Sequence, residues 1–138
     1  MRKLIKNSIR TPDGTVLTSR HRHDYQSHKD KNQELYFVDG GIEFIRRSVN
    51  TKPYEDLSLY STDSFEKLRE GIEWGTFGKN GNEPLQYKPI SNMSTNHINA
   101  IYSQYRLADY LKELFEKEIS FRNECKQKGW IERHWKED

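Results

Sequence analysis

One cysteine, Cys125, is all that this chain of 138 residues contains. No disulfide can form within it, and such usage fits a reducing compartment. Hydrophobic residues are scarce at 33%, below the roughly 45–50% of ordinary globular domains. No apolar run is long enough to cross a bilayer. The start, Met1-Arg2-Lys3-Leu4-Ile5-Lys6-Asn7, is basic but lacks the apolar segment of a signal peptide. Neither sign of charge dominates: 23 basic residues face 21 acidic ones, for a net charge of +2. That balance argues against a duplex nucleic-acid binder, which usually carries a basic stripe. It permits a small anionic ligand. Catalytic signatures are also missing. There is no Gly-x-Ser-x-Gly, no His-Glu-x-x-His and no cysteine beside a motif histidine. Gly75-Thr76-Phe77-Gly78-Lys79-Asn80-Gly81 lacks the Gly-Lys-Ser/Thr ending of a phosphate-binding P-loop. These absences predict a cytoplasmic binding protein without metal or cofactor.

What is present is aromatic. Eight Tyr, six Phe and three Trp make up 12% of the chain. With so few aliphatic residues the core of one copy is thin. Burying aromatic faces against a second copy is the natural remedy, which predicts a homo-oligomer.

The order of elements predicts an α+β fold, one compact domain with three regions. Residues 1–60 read as a small antiparallel β-meander. Ser8–Thr11 and Thr15–Thr18 flank the turn Pro12-Asp13-Gly14. Tyr25–His28 and Glu34–Val38 flank a polar turn. Asp39-Gly40-Gly41 turns into a strand Ile42–Arg46, with Ile42 and Phe44 on one face, and Leu57–Tyr60 is a fifth, short strand. Residues 61–125 read as helical with a glycine loop. Asp63 and Glu66 are spaced as a capping box, ahead of a helix that shares Phe65, Leu68 and Ile72 on one face. Trp74 to Asn82 forms the loop, and Leu85–Lys88 is extended. Ser94 caps a helix through Ile98 and Ile101. A longer helix follows with the stripe Leu107, Leu111, Leu114, Phe115 and Ile119, stopped by Gly129. Residues 126–138 form a charged tail that keeps Trp130 and Trp135. It is either a frayed arm or a dock for a neighbouring subunit.

The loop carries the chemistry. Trp74, Phe77 and Lys79 lie among three glycines, just before the helix start Asn92-Met93-Ser94-Thr95-Asn96-His97. Aromatic faces stack on bases, glycine allows close backbone approach, and helix N-termini with lysine favour anions. The plainer alternative is an ordinary glycine loop with aromatic core plugs and a simple N-cap. Arg20-His21-Arg22-His23-Asp24, read as a strand, puts the histidines on one face and the arginines on the other. It is an anion-binding edge through Arg20 and Arg22, a solvated edge that protects the sheet, or half of a zinc site completed by His28. Of Arg46 and Arg47, adjacent on a strand, at most one reaches a given pocket. Arg106, Lys112, Lys117 and Arg122 lie along the long helix. They form a solvated face, with Glu113 and Lys117 as an i,i+4 pair, or Arg122, near the helix end, projects onto a partner subunit.

Several segments together resemble a known family. They are Thr11-Pro12-Asp13-Gly14-Thr15, Ser19 to Tyr25, Val38-Asp39-Gly40-Gly41, Phe44-Ile45-Arg46-Arg47-Ser48 and Trp74 to Gly81, with Met93 to Ile98 leading to Phe121-Arg122. From Ile5 to Arg122 the order is similar to the phage Thoeris anti-defence sponge family, type one. The resemblance implies a non-enzymatic protein with a small antiparallel sheet joined to helices, interlocked as dimers that assemble further. It implies sequestration of the cyclic ADP-ribose isomers made by bacterial TIR-domain enzymes, and in some members of cyclic oligonucleotides, in the cytoplasm of the infected host. Pockets are implied where subunits meet. Phe77 or Trp74 would stack on adenine, and Asn92 with the Ser94–His97 helix start, including Asn96, would contact ribose or phosphate. Arg106 or Arg122 of a neighbouring subunit would pair with phosphate. The rival readings are an enzyme that cleaves such a nucleotide, using His21, His23, Asp24 and His97, and a protein that blocks a host factor through Trp130 and Trp135.

Overall fold

The computed structural model describes residues 2–47, 54–78 and 80–136. Antiparallel strands come first and helices after, a mixed α+β order. The chain divides into two compact units after Asp63, and the tail belongs to the second. No helix among the described residues is long and apolar enough to cross a membrane.

In the first unit the strands separate into two sheets instead of one run of neighbours. β1 (Leu4–Arg10) pairs with β2 (Val16–Ser19), with Asn7 opposite Ser19 and Arg10 opposite Val16. The turn between them is held by the Thr11 N–H on the Thr15 carbonyl at 2.8 Å. β3 (Gln26–Lys29), β4 (Leu35–Asp39) and β5 (Arg46–Arg47) form the second sheet in that order. The chain then returns to the free edge of β1 as β6 (Glu55–Asp56) and β7 (Leu59–Tyr60). Ile9, Leu17, Tyr36 and Val38 make the apolar centre, with Tyr54 against it.

The strand expected over Ile42–Arg46 is a correction. Gly40 and Gly41 both adopt positive φ, at 84° and 56°. That coils the chain so that the Gly40 carbonyl accepts the N–H groups of both Glu43 and Phe44, and pairing starts only at Arg46. A Cβ on Gly40 would lie 1.5 Å from the Phe44 carbonyl oxygen, so only glycine fits. The Arg20–Asp24 segment is likewise a turn, not a strand. β2 ends at Ser19, and the Asp24 carboxylate accepts the Arg20 N–H at 2.8 Å.

The second unit opens with α1 (Phe65–Gly71). Its cap is Ser64, whose hydroxyl accepts the Lys67 N–H at 3.2 Å. Asp63 is not the cap, because its carboxylate takes the Tyr60 N–H at 2.8 Å. β8 (Glu73–Thr76) and β9 (Gln86–Pro89) form a hairpin. Trp74 and Gly75 are therefore strand residues, and the loop starts after Thr76. A 3₁₀ turn over Ile90–Asn92 leads to α2 (Thr95–Gln104), capped by Ser94 on the His97 N–H at 3.1 Å. α3 (Asp109–Gln127) follows. Leu107 precedes it, and its buried stripe runs Leu114, Phe115, Glu118, Arg122, Cys125.

That stripe contains charge because its partner is charged. Arg69 of α1 grips Glu118 through Nε at 2.6 Å and Nη2 at 2.9 Å. Arg122 adds Nε at 2.7 Å from the other side. A bidentate guanidinium gives both oxygens of a buried carboxylate a hydrogen-bond donor. Through Trp135 the tail packs back onto α3 and the 3₁₀ turn. Trp130 and Trp135 both pack edge-on against Phe121, with centroids 6.5 and 6.1 Å away. The His134 Nε2–H donates to the Ser91 carbonyl at 2.9 Å. Trp135 is buried, so it is not the outward anchor expected for a protein partner.

Candidate functional site

The hairpin and the start of α2 border a half-open cavity of about 360 Å³ within the second unit. The hairpin supplies Thr76, Gly78, Glu83, Gln86 and Lys88. The helix start supplies Ser94, Asn96 and His97. Strand register explains the first set. Thr76 pairs with Gln86, and Gln86 and Lys88 are two apart, so all three share one face. The Ser94 cap explains the second set. It fixes the first turn of α2, where backbone N–H groups have no helical partner.

The two walls differ in charge. On the helix side, burial and then the neighbouring Lys88 ammonium lower the His97 imidazole below its ordinary value. Near neutral pH the imidazole is therefore uncharged and Lys88 is the fixed cation. On the loop side stands Glu83. Its N–H donates to the Phe77 carbonyl at 2.8 Å, which folds the loop back so that the carboxylate lies over Gly78. A Cβ on Gly78 would sit 1.8 Å from Glu83 Oε2. The cavity thus offers hydroxyl, amide and imidazole groups between one cation and one carboxylate.

The structure gathers some of the expected ligand residues and scatters others. Ser94, Asn96 and His97 meet the glycine loop in this cavity. Phe77 is 55% exposed beside Gly78, although it does not line the cavity. Trp74 is half-buried, and its ring packs against Tyr105 at 5.7 Å and Phe115 at 6.3 Å. Asn92 is exposed in the 3₁₀ turn and does not line the cavity. Arg106 is exposed between α2 and α3. Lys79 lies outside the described residues.

Arg122 is corrected outright. It is 4% exposed, and besides Glu118 it donates to Thr95 Oγ1 at 2.9 Å and the Ile90 carbonyl at 3.2 Å. Its guanidinium is committed inside the unit and is not presented to a second copy.

In the first unit, Arg22 and Arg46 border a different cavity of about 340 Å³, with His23, Tyr25, Asp39 and Phe44. The Arg22 guanidinium lies 4.8 Å over the Phe44 ring. Arg20 is not on that lining. Arg47 points the other way, as adjacent strand residues must. It donates to Asn7 Oδ1 at 3.2 Å and Asp56 Oδ2 at 3.1 Å. The histidines do not assemble a metal site. His28 Nε2 is 2.7 Å from Asp13, and no group of three metal-ligating side chains forms among the described residues.

Thr76, Glu83, Gln86 and Lys88 escaped the sequence reading. The alternation of Leu85-Gln86-Tyr87-Lys88 held the signal. Paired with Glu73–Thr76 as a hairpin, it places polar side chains on one face opposite the capped helix.

No protein-family model matches this chain, and neither the curated proteins nor the solved structures include one with significant similarity to it.

Proposed function

We propose that this protein is a phage anti-defence sponge that binds a cyclic ADP-ribose isomer and holds it uncleaved. The reading rests on the family resemblance, and the observation that supports it most is the cavity between the hairpin and α2. Lys88 and the positive end of the α2 dipole suit a pyrophosphate. Asn96, Gln86 and Thr76 suit ribose and base edges. Phe77, exposed next to the lining residue Gly78, offers a face for adenine. The sponge acts in the cytoplasm of the infected cell as a homodimer or dimer-based assembly, and it takes neither metal nor cofactor. Cyclic oligonucleotides are a second ligand class within this reading.

The test is calorimetric titration with cyclic ADP-ribose isomers, followed by heating and chromatography of the released nucleotide. Binding with intact ligand recovered supports the sponge. Recovery of an opened nucleotide makes the protein a hydrolase, and no heat with any isomer removes the reading.

A further inference from the structure

The cavity in the second unit is polarised, and the polarity has a chemical consequence. Its helix side holds His97, with the Lys88 ammonium of the hairpin close enough to act on that imidazole. Its loop side carries the Glu83 carboxylate, seated over a glycine whose missing side chain leaves the room it occupies. A phosphate placed on the loop side meets a like charge and gives up its hydration for nothing. Phosphate therefore belongs on the helix side. The loop side calls for a group that donates hydrogen bonds to a carboxylate.

Two parts of a nucleotide can donate there. The Watson–Crick edge of adenine offers its amino group, but the neighbouring N1 lone pair faces the second carboxylate oxygen and is repelled. A vicinal ribose diol offers two O–H groups, one to each oxygen, and leaves no acceptor opposed. Acidic side chains read ribose hydroxyls in this way in dinucleotide-binding folds, where a 2′-phosphate demands an arginine instead.

We infer that Glu83 is the specificity-determining residue of this cavity: it takes a free ribose diol and rejects the same sugar once a hydroxyl is phosphorylated. The inference rests on the proposed nucleotide reading and deepens it. Gly78 is part of the same device. With φ at +86° and no Cβ, it lets the Glu83 carboxylate close over it. A methyl group at position 78 displaces that carboxylate without touching its charge.

The experiment is calorimetry on wild type, Glu83→Gln, Gly78→Ala and Lys88→Ala. The probes are cyclic ADP-ribose isomers and analogues in which one ribose hydroxyl at a time is removed or phosphorylated. Wild type binds the parent and loses about tenfold or more for one of the deoxy analogues, the worth of a hydrogen bond to a charged group. It loses more for the phosphorylated one. Glu83→Gln binds the parent more weakly but the phosphorylated analogue more tightly than wild type does. A misfolded variant cannot produce that gain. Gly78→Ala shifts the preference the same way, and Lys88→Ala weakens every ligand without changing their order. If wild type binds the parent yet ranks the analogues equally, or Glu83→Gln keeps the wild-type ranking, the role of Glu83 is overturned while the nucleotide reading stands. If wild type binds none of the probes, the nucleotide reading falls and takes this inference with it.

Discussion

Residues 2–63 and residues 64–136 answer the same shortage of aliphatic side chains in opposite ways. The first unit has an apolar centre of Ile9, Leu17, Tyr36 and Val38, and it fills the space around with short neutral polar groups. Buried Asn7 donates to the Gly41 carbonyl at 2.8 Å and the Asp39 carbonyl at 3.3 Å. Buried Ser8 donates through Oγ to the Leu17 carbonyl at 3.0 Å. The second unit uses rings and full charges: Phe65, Phe121, Trp130 and Trp135 in edge contacts, and the Arg69–Glu118–Arg122 triad beneath them. Neutral groups that bond to nearby backbone cost little to bury. A buried triad costs much to desolvate and depends on every member. The second unit, which also holds the cavity, is thus the more sensitive to a single change.

Glu118→Ala tests this most severely. It leaves two guanidinium groups facing each other, with an expected loss of about 3–5 kcal/mol. Urea unfolding followed by tryptophan fluorescence reads it, since Trp74, Trp130 and Trp135 all lie in the second unit. Replacing the triad together by Met and Leu should restore most of the loss, because a well-packed apolar substitute is often neutral. Trp135→Ala comes next, at roughly 3 kcal/mol by the same readout. In the first unit, Asn7→Ala strands two carbonyls and the Arg47 Nε–H, for about 2 kcal/mol. Faster hydrogen exchange along β1 checks it, and an effect as large as that of Glu118→Ala would erase the contrast.

The smallest effect is in pH. Hydrogen bonds from Thr11 and His28 hold the Asp13 carboxyl well below the usual aspartate range. For Asp24 and Asp56 burial pushes upward, but hydrogen bonds from Arg20 and Gln26, and from Ser58 and Arg47, outweigh it and both fall. A carboxyl lowered on folding adds stability above the ordinary value of 3.8 and loses it as pH falls beneath that. His97, lowered by burial and then by Lys88, is a base. The unfolded chain takes its proton first, so the second unit starts to lose stability below 6.5. Hydrogen exchange across a pH series should show the second unit softening at higher pH than the first. His97→Asn should remove the early phase.

Much of this was legible from the residues. The hairpins at Pro12-Asp13-Gly14 and Lys29–Asn32, the Ser94 cap and the long helix ended by Gly129 follow from local turn and cap chemistry, which acts within a few residues. What was not legible depends on distant partners. Nothing near Glu118 announces that Arg69 sits on it, so Arg122 read as an outward-facing cation. The Ile42–Arg46 alternation looked like a strand because period two is blind to two left-handed glycines upstream. At the site, the helix start and glycine loop were visible as motifs. Glu83 and Lys88 were not, because Lys88 is placed by the register of β8 against β9 and Glu83 by the loop bond from its N–H to the Phe77 carbonyl.

The most direct test of the central claim watches the cavity itself. The His97 imidazole signals are followed by NMR while a cyclic ADP-ribose isomer is added, in wild type and in Lys88→Ala. The account predicts that His97 shifts in step with binding, and that Lys88→Ala weakens binding and shift together. Tight binding that leaves His97 unmoved, or no binding of any isomer, would contradict it.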